Sequence, residues 1–420
     1  MIQILPLLFI FVLQLGLSRD ASSATIQVSF GDLARYVREK NPHVKAAESL
    51  TLGANRRTGY LFRSYLPAFS ATGGYESFQT GPYRQLNQPY GGIEATVNLF
   101  RGGRDLLEES ARQGASRFAS AAEAESYLNK LTEARRNYLH LAYYREVIAI
   151  LNETIAQNEK NLSAAHRRIT SGVATETDRI EFEMYRIQIG QDLARMKLEE
   201  DSALKTLTVL LGESENLEIR VPSDALREHD ESLLKASFDA KLHREVELDL
   251  SAKATAEARR KSAHRWWSPS VDAYGSYSLY TLRDRDYVSQ RDRFEVVGGV
   301  RVTFELFDGL KSYAEGSALA SEADAYEQRA LQTERELKTR FERTRAQLGL
   351  AYDQARSAEA SIEQGRKYLK RTLEEYGRGV KNSPDVLNAT QKFMEWRRRA
   401  TDLMRDYQLA RVELLRILGR

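Results

Sequence analysis

Four segments of the chain alternate apolar and polar residues with a period of two. Successive side chains of a strand point to opposite faces, so this period predicts strands with one apolar and one polar face. The segments form two pairs, one near residues 69–100 and one near residues 271–307. The apolar positions are Phe69, Ala71, Gly73 and Tyr75; Ile93, Ala95, Val97 and Leu99; Val271, Ala273, Gly275, Tyr277 and Leu279; and Val300, Val302, Phe304 and Leu306.

Long helices are predicted after each strand pair. No proline occurs from Arg104 to about Ile169, which at ~1.5 Å per residue allows roughly 100 Å of helix. Gly172 and Gly379 are predicted to reverse the chain, because helix-start residues follow each of them. Apolar residues at helical spacing predict that the helices pack side by side. They are Ile148, Leu151, Ile155, Leu162, Ala165 and Ile169, and Leu403, Tyr407, Ala410, Leu414 and Leu418.

The two halves of the chain repeat one another. Gly91 to Phe100 resembles Gly298 to Phe307, 207 residues later, and the same offset relates Gly172 to Gly379 and Leu211-Gly212 to Leu418-Gly419. Upstream, Pro67 corresponds to Pro269 at an offset of 202, so a length difference of five residues lies between these landmarks. Each half is therefore predicted to run helix, two strands, long helix, tight turn, helix.

The start of the chain differs from both repeats. An apolar run from Ile4 to Leu17 precedes small residues that end at Ala24, which predicts a secretory signal peptide. The run is too short to span a bilayer, which takes about 20 residues. The predicted organisation is a signal peptide at 1–24, a first repeat at 25–212, a linker or equatorial segment at 213–235 and a second repeat at 236–420.

The strands are candidates for a membrane crossing. No stretch of the mature sequence is apolar enough for a membrane helix, which leaves a closed β-barrel as the way to cross. The competing interpretation of any single strand is a half-buried soluble hairpin. Aromatic residues near the helix-proximal strand ends favour a membrane-interface girdle: Tyr65, Phe100, Trp266, Trp267 and Phe307. Four strands cannot close a barrel, so two, three or four copies would be needed to give 8, 12 or 16 strands.

Composition excludes several classes of function. Lys and Arg number 62 against 59 Asp and Glu, a net charge of +3, which argues against nucleic-acid binding. The absence of cysteine excludes disulfides, thiolate metal sites and a lipid-modified N-terminal cysteine. The six histidines show no metal-ligand spacing, and no HExxH, phosphate-binding GxxxxGK or GxSxG motif occurs. The sequence therefore predicts no enzyme, no cofactor and no metal.

The duplicated order of strand pair and long helical hairpin resembles the TolC family of outer-membrane channels. Asn41-Pro42, the segment Asn98 to Gly103, and Tyr376 with Gly379 three residues on carry the resemblance locally. It covers essentially the whole mature chain. The fold it implies is mainly α with a small β part: long antiparallel coiled-coil hairpins form a periplasmic α-barrel, and four transmembrane strands per protomer join a shared 12-stranded barrel in a homotrimer.

Tyr376 to Thr390 is similar to the segment that closes the periplasmic entrance in this family. The resemblance implies that Tyr376 and Lys381 bond to Asp178 of the other turn. It also assigns Asp385 and Asn388 to the constriction, where the family carries two aspartates. Lys381 lacks the bidentate fork of arginine, so its link should be looser. With Asn388 neutral, one ring of three carboxylates is expected instead of two.

Structural roles compete with these gate roles. An aspartate in the first turn of a helix satisfies free backbone amides and favours the helix dipole, which would account for Asp178 and Asp385. Tyr376 and Lys381 would then be exposed turn residues.

The resemblance implies a passive conduit from periplasm to outside in the outer membrane of a Gram-negative bacterium. It implies a tripartite efflux pump or type I secretion system, with a periplasmic adaptor (membrane fusion) protein and an inner-membrane pump of RND, ABC or MFS type. Adaptor contact is expected at Gly172, Val173, Gly379 and Val380. Residues 281–293 are expected to form an extracellular loop. The alternative function is a soluble periplasmic coiled-coil scaffold or adaptor.

Overall fold

The computed structural model describes residues 25–80, 84–172, 175–213, 218–222, 224–228, 231–283 and 290–420. Long helices dominate these residues and a small antiparallel sheet completes them, which confirms the prediction of a mainly α protein with a small β part. The predicted signal peptide, residues 1–24, lies outside the described residues. The same holds for residues 284–289 at the centre of the predicted extracellular loop.

The elements follow the predicted order within each half. In chain order they are β1 (Thr25–Gln27), α1 (Leu33–Lys40), α2 (Pro42–Arg57), α3 (Tyr60–Arg63), β2 (Ala68–Thr80), β3 (Arg84–Phe100), α4 (Arg104–Thr170), α5 (Glu176–Leu210), β4 (Glu218–Arg220), short 3₁₀ turns at Glu231–Lys235 and Ala240–Leu242, α6 (Arg244–Ala263), β5 (Ser270–Arg283), β6 (Gln290–Thr303), α7 (Lys311–Gly377) and α8 (Ser383–Ile417).

Four helices form the two hairpins. α4 and α7 have 67 residues each, and their partners α5 and α8 have 35 each. Contacts run from α5 to α4, from α4 to α8 and from α8 to α7, so the hairpins lie side by side in one layer. The other ends of α4 and α7 pack with α2 and α6 in the order α2, α4, α6, α7.

The main hydrophobic core lies midway along the long helices. There α1 and the parallel pair of β1 with β4 pack against the middle of α4 and the end of α8. Ile219 of β4, together with Leu226 and Leu233, brings the segment between the repeats into this core. Over all the described residues, the largest fully buried side chains are Tyr138, Tyr407, Phe182, Leu33, Leu131, Leu139, Leu141, Ile150, Leu151, Ile189, Leu207 and Leu211.

The four long strands form one antiparallel sheet in the order β2, β3, β5, β6. Each strand pairs along most of its length, and β3 joins the first repeat to β5 of the second. This order leaves β2 and β6 as the two edge strands. One edge therefore belongs to the first repeat and the other to the second.

Candidate functional site

The register of the sheet places the predicted apolar positions on one face. Phe69 pairs with Ala95, Ala95 with Gly275 and Gly275 with Gly298. Residues directly opposite in an antiparallel ladder share a face. The same face carries Tyr277, which pairs with Ile93 and with Val296. Exposed large apolar side chains of this face include Phe69, Tyr75, Ile93, Tyr277, Leu279, Phe294, Val296, Val300 and Val302.

The opposite face of the sheet is polar. Asp272 pairs with Asn98 on one side and with Arg301 on the other, and Ser276 pairs with Glu94. The guanidinium of Arg301 lies 4.6 Å from the ring centroid of Tyr274 on the same face. The sheet thus separates an apolar face from a polar face across all four strands.

A β-bulge changes the end of the apolar face. In β3, Asn98 pairs with Asp272 whereas Phe100 pairs with Val271, so Leu99 is the extra residue. The bulge brings Phe100 into line with Val271, so the regular alternation predicted through Leu99 is interrupted after Asn98. Alternation cannot reveal the bulge, since Leu99 and Phe100 are both apolar.

The last strand is shorter than its pattern predicts. β6 ends at Thr303, which pairs with Ser270, so Phe304 and Leu306 follow the strand instead of belonging to it. The ladder stops where β5 begins, directly after Pro269, because proline has no backbone N–H to donate. Phe304 and Leu306 remain exposed in the connection to α7.

The predicted interface aromatics lie at the helix-proximal end of the sheet. Phe100 is the last residue of β3, and Trp266 and Trp267 lie between α6 and β5. Tyr65 precedes β2, and Phe307 lies between β6 and α7. Trp266 is partly buried and the other four are exposed. Their role at a membrane interface stays a prediction.

Both hairpins reverse through a glycine with a positive φ. The angle is 74° at Gly172 and 81° at Gly379, a region that residues with a Cβ rarely adopt. Gly172 and Gly379 are exposed, and Val380 is 72% exposed. Val173, the remaining predicted contact residue, lies outside the described residues.

The aspartates of both tips cap the returning helices. Oδ2 of Asp178 accepts hydrogen bonds from the backbone N of Thr175 at 2.8 Å and from its Oγ1 at 3.0 Å. Oδ2 of Asp385 accepts from the backbone N of Asn382 at 3.2 Å, and the backbone N of Asp385 donates to Oδ1 of Asn382 at 3.1 Å. The capping role expected for both residues is therefore present in the structure.

Tyr376 is buried between the two hairpins, with 5% of its surface exposed. Its ring belongs to a small cluster with Ala165 and Phe182 of the first hairpin and Val386 of the second. Its hydroxyl lies 3.2 Å from Oγ of Ser383. The alternative interpretation of Tyr376 as an exposed turn residue is therefore wrong.

Arg168, near the end of α4, completes this cluster. Its Nη1 donates to the backbone carbonyl oxygen of Tyr376 at 3.0 Å, and its Cζ lies 4.3 Å from the ring centroid of Tyr376. From the sequence, Arg168 is expected only as part of the tip surface that meets an adaptor, without a link to Tyr376. No local signal marks the contact, because the two residues are far apart in the chain and meet only when the hairpins pack.

The other predicted gate residues lie on the second tip. Nζ of Lys381 lies 3.9 Å from Oδ1 of Asp385, and both side chains are 41% exposed. Asn388 is exposed one turn further along α8. Asp385 and Asn388 therefore follow one another on the same helix, as the resemblance implies. Their part in a constriction stays a prediction.

One edge helix of the hairpin layer carries a stripe of exposed apolar side chains. They are Ile180, Met184, Ile187, Leu198 and Val209, all on α5. Steps of three, four and eleven residues keep them on one side of the helix. This stripe lies at the open end of the layer, opposite the end formed by α7.

The described residues contain neither a membrane-spanning helix nor a metal-binding cluster. None of their helices combines the length and the apolarity needed to cross a bilayer. The same part of the chain holds no group of three or more His, Asp or Glu side chains arranged to bind a metal ion.

Comparisons with known proteins match the chain to outer-membrane channels. A family model described as outer membrane efflux protein matches residues 247–420. No curated protein sequence matches.

Solved structures match over most of the chain. The CmeC outer membrane channel of Campylobacter jejuni is 16% identical with a TM-score of 0.76, over 93% of this chain and 85% of that one. The outer membrane protein VceC of Vibrio cholerae is 13% identical with a TM-score of 0.75, over 93% and 96%. The open state of the MtrE channel of Neisseria gonorrhoeae is 14% identical with a TM-score of 0.74, over 93% and 88%. At these identities the similarity is one of fold.

Proposed function

We propose that this chain belongs to the TolC-like family of outer membrane efflux proteins and is one subunit of a passive conduit from the periplasm to the outside. The proposal is supported by the family-model match over residues 247–420 and by the fold shared with solved outer-membrane channels. In this proposal the chain lies in the outer membrane of a Gram-negative bacterium and extends into the periplasm, in keeping with the match to the outer membrane efflux protein model. In the proposal, the chain serves a tripartite efflux pump or a type I secretion system. It supplies the water-filled path and a gate, while an inner-membrane partner supplies the energy.

The observation that carries the proposal is the register of the four strands. It collects Phe69, Ile93, Tyr277 and Val296 on one exposed face and the polar residues on the other. Burying such a face in lipid removes apolar surface from water, and the polar face can then line an aqueous lumen. The aromatic side chains at the helix-proximal end of the sheet would then lie at the depth of the lipid headgroups, where such residues are enriched in membrane proteins.

The open edges support assembly from several copies. β2 and β6 have unpaired edges in the single chain, and in lipid every backbone N–H and C=O needs a partner. Pairing β6 of one copy with β2 of the next satisfies both edges. The helical layer also has one edge from each repeat. Its edge helices are α5 of the first repeat and α7 of the second. Three copies then give the 12-stranded barrel and the homotrimer that the family resemblance implies.

The exposed stripe on α5 supports the same arrangement in the periplasm. Ile187 and Met184 are more than 60% exposed in the single chain, although both are large and apolar. In the proposed trimer α7 of the neighbouring copy covers them, which removes this surface from water.

The hairpin tips are the proposed periplasmic entrance. Gly172, Gly379 and Val380 are exposed there and open to an adaptor protein. The adaptor would link the conduit to an inner-membrane pump of RND, ABC or MFS type. Asp385 would form the one ring of carboxylates at the constriction, with Tyr376, Lys381, Asp178 and Asn388 around it.

A soluble periplasmic scaffold remains the second candidate, and cell fractionation separates the two. A conduit is expected in the outer-membrane fraction, extractable with detergent only, and as a trimer by native mass spectrometry. A scaffold would appear in the periplasmic extract. The purified trimer should also conduct ions in a planar lipid bilayer once the tips open. A detergent-free monomer in the periplasmic fraction would contradict the proposal.

A further inference from the structure

The two hairpin tips of one chain are joined by Arg168 of α4 and Tyr376 of α7. Nη1 of Arg168 donates to the carbonyl oxygen of Tyr376 at 3.0 Å, and the guanidinium lies 4.3 Å from the ring centroid. One side chain thus makes both a charge-assisted hydrogen bond and a cation–π contact with the same partner. Both are stronger than usual here because the ring is largely shielded from water.

Tyr376 itself is held firmly by its surroundings. Its hydroxyl lies 3.2 Å from Oγ of Ser383 in its own hairpin, and Val386 packs against it from that side. Phe182 approaches from the first hairpin. Tyr376 is therefore a fixed anchor, and Arg168 is the charged group that reaches it from the other hairpin.

The groups that the family resemblance implies for this link have other partners. Asp178 accepts from Thr175 at the start of α5, and Lys381 lies 3.9 Å from Asp385 of its own turn. The second repeat has no equivalent arginine at the end of its long helix α7. The position 207 residues after Arg168 is Glu375, which carries the opposite charge.

We propose that Arg168 is the gate-positioning residue of this chain, which holds the tip of the first hairpin against the second in the closed state. Opening requires its guanidinium to leave the ring and the carbonyl oxygen of Tyr376. This inference rests on the proposed function, because it takes the tips to be the entrance of a conduit. It assigns to Arg168 the link that the resemblance assigns to Lys381.

The first experiment measures the separation of the tips without measuring transport. The chain has no cysteine, so Thr170→Cys and Val380→Cys carry the only spin labels, in detergent-solubilised protein with labelled chains diluted by unlabelled ones. Arg168→Ala is expected to lengthen and broaden the distance distribution. Arg167→Ala, which removes the same charge from the same helical turn, is expected to leave it unchanged.

Two conservative variants distinguish loss of this contact from a general folding defect. Arg168→Lys keeps the charge but loses the planar fork, so it should restore the parental distance only in part. Tyr376→Phe keeps the ring and the carbonyl oxygen, so it should retain the parental distance. An unchanged distribution in Arg168→Ala, or an equal change in Arg167→Ala, would overturn the proposal.

The second experiment measures opening in planar lipid bilayers. Arg168→Ala is expected to raise the frequency of open events about tenfold, the size expected for loss of one cation–π contact with one hydrogen bond. Arg167→Ala should match the parent. If the label distances change as expected but neither the parent nor any variant conducts, the proposed conduit function is wrong and the role of Arg168 in joining the tips is supported. If all variants conduct equally and the label distances stay the same, the conduit function is supported and the proposed role of Arg168 is wrong.

Discussion

Two glycines with positive φ angles have different surroundings. At Gly212 φ is 69°, and a Cβ placed there would lie 2.4 Å from the carbonyl oxygen of Lys40. At Gly172 φ is 74°, and nothing lies within 4 Å of such a Cβ. Gly212 follows the end of α5 and lies against the end of α1, whereas Gly172 turns the exposed tip. The first glycine is required by close packing and the second by backbone angle alone.

Gly212→Ala is therefore expected to destabilise the chain more than Gly172→Ala. Both variants carry the strain of an L-residue in the left-handed region, about 1–2 kcal/mol. Gly212→Ala adds overpacking against the backbone at Lys40, about 1–3 kcal/mol more. Thermal unfolding in detergent, followed by circular dichroism, checks this. Equal shifts of the midpoint for the two variants would show that Lys40 moves aside without cost.

His243 and Asn41 occupy equivalent positions at the start of a helix. Oδ1 of Asn41 accepts from the backbone N of His43 at 2.9 Å, and Nδ1 of His243 accepts from the backbone N of Glu245 at 3.2 Å. A histidine accepts this bond only in its neutral form. Burial lowers the pKa of His243 below its ordinary value of 6.5, against an opposing effect of the Glu245 carboxylate.

This lowered pKa predicts loss of stability in acid. The folded chain binds a proton at His243 less readily than the unfolded chain, so the stabilisation is complete above pH 6.5 and declines as the pH falls below that value. His243→Asn, which copies Asn41, should show a smaller loss of melting temperature between pH 7.5 and pH 5.5. His166→Asn, at an exposed site, serves as the control. A parental pH dependence in His243→Asn would contradict the assignment.

At single residues, the sequence predicted what depends on near neighbours. The caps at Asp178 and Asp385 follow from residues three positions apart, and the glycine turns follow from backbone freedom. The contact between Arg168 and Tyr376 could not be predicted in this way. It depends on the packing of two hairpins whose relative position no local pattern encodes.

Among the elements, the sheet offers a direct test of which face meets lipid. Val296 and Glu295 are adjacent exposed residues of β6 that lie on opposite faces, paired with Tyr277 and Ser278 respectively. Val296→Arg should destabilise the inserted protein by about 2–4 kcal/mol if it lies near the bilayer midplane. Glu295→Arg at the same depth should cost far less, because in the proposed barrel its side chain faces the aqueous lumen. Refolding into lipid vesicles at a series of denaturant concentrations measures the difference, and equal costs would refute a lipid-facing Val296.

The strand pattern predicted the faces of the sheet better than its ends. Alternation assigned Ile93, Ala95 and Val97 correctly, because the ladder is regular there. It failed at Leu99, where a bulge inserts a residue, and after Thr303, where the partner strand begins behind Pro269. The bulge and the end of β6 both depend on the neighbouring strand. The pattern within a single strand carries no information about where its partner begins or ends.

At the scale of the whole molecule, the stripe on α5 should decide whether copies assemble. Ile187→Asp places a charge where the proposed neighbour packs, so the trimer should dissociate at a lower detergent concentration or temperature. Gln188→Asp adds the same charge one residue further around the helix and should have a smaller effect. Native mass spectrometry counts the copies. Trimers of equal stability in both variants would place the interface elsewhere.

The constriction gives a second test at this scale. Asn388 is exposed on α8 next to Asp385 in helical order, and Asn388→Asp would add a second ring of carboxylates in the proposed trimer. Block of the channel by trivalent cations should then occur at a concentration about tenfold lower, since added negative charge strengthens cation binding in a narrow lumen. Conductance at increasing cation concentration measures this. An unchanged blocking concentration would mean that position 388 does not face the lumen.

The matched lengths of the hairpins limit how this protein can diverge. Both outgoing helices have 67 residues and both returning helices have 35, so the two reversals finish level with one another. In the proposed trimer, a deletion in one hairpin alone would make the periplasmic end of the tube uneven where the proposed adaptor binds. If the proposed function holds, a change in periplasmic length therefore needs equal changes in all four helices, and a variant shortened in only one hairpin is expected to leak at its junction with the adaptor.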